Sequence, residues 1–109
     1  MTNAELNLAI ARLLYPDAEI VLSIESPLLG ADKYVLKHDD RCYQHIPNYS
    51  NNWNDLMPLV VEHKITLQWD NEDMLWDVYG VRTECKASKD PQLALAKCVL
   101  AVLQEKDND

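Results

Sequence analysis

Ile65-Thr66-Leu67-Gln68-Trp69-Asp70 runs through Asn71-Glu72-Asp73 into Met74-Leu75-Trp76-Asp77-Val78-Tyr79-Gly80-Val81, and this stretch decides the fold class. Leu67 and Trp69 alternate with Gln68 and Asp70, and Trp76 and Val78 alternate with Asp77 and Tyr79. That is the period of two expected of half-buried strands. The short polar segment between them predicts a hairpin, hence antiparallel pairing. Downstream, Asp90-Pro91 supplies an acidic N-cap followed by Pro at the first helical position. The spacing predicts a helix over Pro91–Lys106, with Leu93, Leu95, Ala96, Cys98, Val99, Leu100, Val102 and Leu103 filling an arc of about 200°, wider than the ~100° stripe a one-sided helix needs. Arg82–Lys89 reads as a polar extension of an edge strand, and residues 106–109 as a frayed tail.

Upstream the same reasoning gives a second hairpin, Lys33–His38 and Arg41–Ile46 around Asp39-Asp40. A two-residue loop would set His38 opposite Arg41 and Leu36 opposite Tyr43. Ala18–Ser26 reads as a strand with Ile20, Leu22 and Ile24 on one face, and Pro27–Asp32 as a loop. Thr2-Asn3-Ala4-Glu5 fits a capping box, and Leu6, Ala9, Ile10, Leu13 and Leu14 share one face of the helix that follows. Pro16-Asp17 ends it. Asn52 is the expected N-cap of a further helix, with Asp55 in its first turn. Trp53, Leu56, Met57, Val60 and Lys64 form its expected stripe, and His63 is read as a cation complementing its C-terminus. Pro58 inside that helix, at a cost of about 3 kcal/mol in a regular interior, predicts a kink or a restart. The order α-β-(β-β)-α-β-β-α predicts an α+β protein: a three-layer α/β/α sandwich with three helices and a mostly antiparallel sheet of four to five strands. Residues 1–109 read as a single domain.

The chain is 48% hydrophobic and 26% charged, with eighteen acidic against ten basic residues and a net charge of −8. The acidic balance argues against a phosphate-binding groove, so direct nucleic-acid binding is not expected. The longest uncharged apolar run, Leu56–Val61, contains Pro58 and is far too short to span a bilayer, so no membrane partner is expected. Cys42, Cys85 and Cys98 are odd in number and form no CxxC pair; they read as free thiols in a reducing, cytoplasmic setting.

Two glycines, Gly30 and Gly80, cannot build a GxGxxG or a GxxxxGK[ST] loop, and there is no GxSxG elbow. His38, Asp39, Cys42 and His45 include metal-ligating types. In a hairpin, however, the two histidines fall near opposite ends of the ribbon, ~13 Å apart by the rise per residue, with Cys42 on the other face. Asp70, Glu72, Asp73 and Asp77 lack the glycine-bearing calcium loop and read as a solvated turn. No metal, no cofactor and no catalytic residue is assigned. The expected binding surface is Tyr49, Ser50, Asn51, Asn52 and Trp53, where aromatics and small amides meet at a loop-to-helix junction. Its structural counterpart has Tyr49 as a hydrophobic staple, Asn52 as a cap and Trp53 packed on the sheet. The wide apolar arc of the last helix predicts a homodimer through Leu95, Val99 and Leu103, or through an edge strand.

Pro47-Asn48-Tyr49-Ser50, the helix through Trp53 and Met57-Pro58-Leu59-Val60, the Trp-bearing hairpin and Asp90-Pro91-Gln92-Leu93-Ala94-Leu95-Ala96-Lys97-Cys98 occur in that order. Over Tyr43–Leu103 the chain resembles the phage α-β-α (ABA) sandwich domain family, small proteins of tailed phages and prophages. Val99 and Leu100 stand where the family pattern carries Arg and Ala after the cysteine. The resemblance implies a phage or prophage origin and a three-layer fold, and implies no reaction. The function expected is a non-enzymatic accessory protein that binds a host or phage protein. The alternatives are a nucleotide-like small-ligand binder with its pocket mouth at Tyr49–Trp53, and a small hydrolase using His38 or His45 with a nearby Asp.

Overall fold

Each helix starts where a side chain can satisfy its first amides. The computed structural model describes residues 1–30, 33–81, 83 and 85–107. Helix α1 spans Asn3–Leu14; the Thr2 hydroxyl accepts from the Glu5 amide at 3.1 Å and donates to the Glu5 carboxylate. Pro16 disfavours a helical Tyr15 and ends the element. Helix α2 spans Trp53–Glu62 behind Asn52, whose side chain accepts from the Asn54 amide. Helix α3 spans Pro91–Asp107, and the Asp90 carboxylate accepts from the Gln92 and Leu93 amides at 3.0 and 3.2 Å. It includes the start of the segment expected to fray; Asn108 and Asp109 lie outside the described residues.

Pro58 does not restart α2, which continues as one helix to Glu62. The helix closes with Ile65 N–H donating to Val60 C=O and Lys64 N–H to Val61 C=O, the paired bonds of a Schellman stop. Lys64 takes the left-handed position, φ 54°, that glycine usually fills.

Strands β1 (Glu19–Leu22), β2 (Tyr34–Asp39) and β3 (Cys42–His45) form one antiparallel sheet in chain order, and β4 (Thr66–Asp70) and β5 (Leu75–Tyr79) form another. The five strands are therefore split between two sheets rather than joined in one. The three helices pack against them in a three-layer α/β/α arrangement. Val35 and Leu36, neighbours in β2 whose side chains leave opposite faces, are both fully buried, so the central strand of the larger sheet is covered on both sides. α3 touches α1, α2 and β5. One apolar cluster runs from Leu6 and Ile10 through Leu36, Leu56 and Val78 to Val99 and Leu103.

The first hairpin differs from the expected register. Leu36 lies opposite Gln44, Lys37 opposite Tyr43 and Asp39 opposite Cys42, with His38 taken up by an irregularity between them. The Asp39 carboxylate accepts from the Arg41 amide at 2.8 Å, and the two-residue turn is Asp40-Arg41, one residue later than expected. The first strand is shorter than expected. After Leu22 the chain turns into a single 3₁₀ turn, Ser23–Glu25, and Ile24 faces solvent. In the second hairpin Leu67 pairs with Val78 and Trp69 with Trp76. Asp70 accepts from the Glu72 and Asp73 amides, and Met74, at φ 55°, completes the loop. Ser88 makes an antiparallel bridge to Trp76, a one-residue remnant of the expected edge extension; Arg82 and Glu84 of that stretch lie outside the described residues, as do Ala31 and Asp32 of the early loop.

Two further corrections concern the core. Cys85 and Cys98 are joined by a disulfide with Cα atoms 5.5 Å apart, leaving Cys42 as the free, exposed thiol. Neither an odd cysteine count nor the lack of a CxxC excludes a pair that only the placement of Cys85 against α3 brings together, and the inference of a reducing compartment loses its premise. Leu95, Val99 and Leu103, expected at a self-contact, lie inside this chain's own core, because α1, α2 and β5 together cover the wide arc. Among the described residues no helix is long and apolar enough to cross a membrane.

Candidate functional site

The segment Tyr49–Trp53 divides into a structural half and an exposed half. Tyr49 and Ser50 are buried, and Tyr49 belongs to the apolar cluster. Burial, with the charges of Tyr15 and Asp55 nearby, pushes the Tyr49 phenol well above its usual range. The Asn7 side chain ties this loop to α1: its amide donates to Asn48 Oδ1 at 3.0 Å, and its oxygen accepts from the Ser50 amide at 2.9 Å. Asp55 reaches back to accept from the Asn48 amide at 2.9 Å. Tyr49 and Ser50 thus anchor the loop and are unavailable to a ligand, whereas Asn51, Asn52 and Trp53 reach the surface.

Trp53, expected to pack on the sheet, is only partly covered. The buried face of α2 is Leu56, Leu59, Val60 and His63, and the outer face carries Trp53, Met57 and Val61, which are 43%, 40% and 70% exposed. Positions four apart stack along one side of a helix, so these three make a continuous apolar ridge about two turns long. The expected stripe merged the two faces. Asn52 holds Trp53 at the start of the ridge through its cap.

The hairpin residues do not converge. His38 Nε2 meets the side-chain oxygen of Gln44 at 2.8 Å, His45 stands opposite Val35, and Cys42 is exposed opposite Asp39. Trp69 and Trp76 pack edge to face, 5.1 Å between centroids, and Trp69 donates to Asn71 at 2.7 Å. Among the described residues no group of three His, Cys, Asp or Glu is arranged to hold a metal ion.

Two cavities lie elsewhere, and residues 49–53 line neither. One, of about 300 Å³, opens between α1 and the larger sheet beside Glu5, Asn7, Lys33 and His45. The other, of about 270 Å³, lies between the C-terminal ends of α2 and α3, lined by His63, Lys64, Val81, Thr83, Val102 and Lys106 among others. His63 is 9% exposed; burial and the Lys106 charge, partly offset by Glu62, hold its pKa below the usual value. The imidazole is neutral at pH 7, the reverse of the helix-complementing cation expected for it. No sequence signal marked its neutral, buried state, because its partner Lys106 lies forty-three positions away. Comparison of the chain with protein-family models, with curated proteins and with solved structures gives no match.

Proposed function

We propose that this protein is a non-enzymatic binding module that holds a protein partner on the outer face of α2. The observation that carries the reading is the exposed ridge Trp53–Met57–Val61. Large apolar and aromatic side chains clustered in the open are what protein contacts use as anchors, and tryptophan is foremost among them. A firm scaffold supports the ridge: α2 is capped at both ends and its opposite face is locked into the core. The net charge of −8 favours a partner whose contact rim is neutral or basic. The likeness of Pro47–Trp53 and Pro91–Cys98 to phage α-β-α sandwich proteins extends the reading to an accessory role in which the partner is a host or phage protein.

The test compares the intact protein with Trp53→Ala and with Trp53→Ala/Val61→Ser as baits in bacterial lysate, followed by titration of the captured protein. The expected loss for a tryptophan anchor is about 2 kcal/mol, a ~30-fold rise in Kd. A partner held equally by all three baits, or no retained partner, overturns the reading.

A further inference from the structure

The cavity between the ends of α2 and α3 has the features of a built site. Its walls are set by separate constraints. The left-handed Lys64 stop fixes the α2 side. Gly80 N–H donates to Thr83 C=O at 2.7 Å, Cys85 N–H donates to Val78 C=O at 3.3 Å, and the Cys85–Cys98 disulfide pins Cys85 to α3. The Thr83 hydroxyl donates to the Glu105 carboxylate, closing the same wall onto α3.

The chemistry facing this space is rich in donors. Lys106 Nζ lies 3.3 Å from His63 Nδ1. An ammonium can only donate, so Nδ1 accepts and the neutral ring carries its hydrogen on Nε2. That Nε2 is buried and has no partner among the described residues, an unsatisfied donor on a cavity-lining residue. Lys106 turns to an imidazole, and Lys64 also lines the cavity. The only ion pair among the described residues is Lys37–Asp40, so among these residues no carboxylate lies within salt-bridge distance of either lysine. Val81 and Val102 supply apolar wall.

We propose that this cavity binds a small organic carboxylate, its anionic group held by Lys106 and Lys64 and its hydrocarbon body laid against Val81 and Val102. A volume of about 270 Å³ falls at the lower end of ligand pockets and fits a body of a few carbons rather than a nucleotide. Glu62 and Glu105 at the same cavity, within a protein of net charge −8, select a monoanion over phosphate. The site is separate from the α2 ridge and does not depend on that reading.

The test is titration of the isotopically labelled protein with hexanoate, followed by amide and histidine-ring resonances, with hexan-1-ol and inorganic phosphate as comparison probes. The expected result is saturable shifts centred on His63, Thr83 and Val102. Binding should weaken about tenfold in Lys106→Met, as for loss of one charge-assisted contact. Lys64→Met, checked like the first variant for an unchanged circular dichroism spectrum, should weaken it in the same direction. Absence of saturable shifts at these residues overturns the proposal. So does hexan-1-ol binding as tightly as hexanoate, phosphate binding as tightly, or affinity unchanged in both lysine variants.

Discussion

His63 links a single side chain to the pH dependence of the whole fold. Its pKa is lowered in the native state, chiefly by burial and then by Lys106, while the unfolded chain has the ordinary value near 6.5. Below pH 6.5 the unfolded state therefore takes up the proton first. This contribution to stability is full above pH 6.5 and declines as pH falls from there towards the native pKa. Denaturant titrations should show the loss below pH 6.5, and His63→Gln should flatten it; a ring-proton titration midpoint at or above 6.5 contradicts the assignment. Cys85 and Cys98 offer a second test at this scale. Thiol titration of the native oxidised protein should find one reactive group, Cys42. Reduction should lower stability by about 3 kcal/mol, the chain-entropy value for a loop of this length, since the paired cysteines are 13 positions apart. Neither residue's role was legible in the sequence. Both depend on partners brought in by tertiary packing, and local pattern carries no trace of that.

At the scale of elements the sequence was read more fully. Capping chemistry located the starts of all three helices, since Thr2, Asn52 and Asp90 act within two or three residues of themselves. The alternation at Leu67–Trp69 and Trp76–Val78 located the second hairpin and its two faces, but not its register, because Met74 belongs to the loop and Asp70 pairs with Leu75. Local rules failed where two local options competed. Asp39 formed its own turn with Arg41 and displaced the register around His38, and Pro58 was tolerated because packing of Leu56, Leu59 and Val60 holds the helix on either side of it. The candidate surface was half legible. Trp53 and its Asn52 cap were in view, but Trp53 and Met57 were merged with Leu56 and Val60 in one stripe that leaves out Val61, because one apolar helix can turn either of two faces inward. Gly80 was read only as a strand position. A Cβ there would stand 2.8 Å from Val102 Cγ2 and 3.3 Å from Thr83 Cβ. Gly80→Ala should therefore destabilise by about 1–3 kcal/mol, the usual cost of overpacking, as measured by thermal or urea unfolding; an unchanged midpoint would mean that β5 and α3 separate freely.

For the whole molecule, the architecture follows from α3 lying against α1, α2 and β5 at once. This makes Val99 a test of what the helix does. It is fully buried, so Val99→Glu should place an unpaired charge in the core and unfold the monomer. Circular dichroism and light scattering together check this: a folded Val99→Glu protein that merely loses a partner copy would put the helix at a subunit contact instead. Leu36→Ala, in the central strand, should cost about 2–5 kcal/mol.

The division of the strands into two sheets also bears on synthesis. Every strand pair joins neighbours in the chain, β1 with β2, β2 with β3 and β4 with β5. Hairpins can close within microseconds of leaving the ribosome. The helix α1 cannot complete its packing likewise, because much of the surface that it covers belongs to α3, nearly a full chain length later. At ~5–20 residues per second, Leu6 and Ile10 wait several seconds with their apolar side chains in water until residues 91–103 emerge. The nascent chain is therefore open to chaperones, proteases and its own neighbours through its first helix, and that exposure ends in full when the third is made.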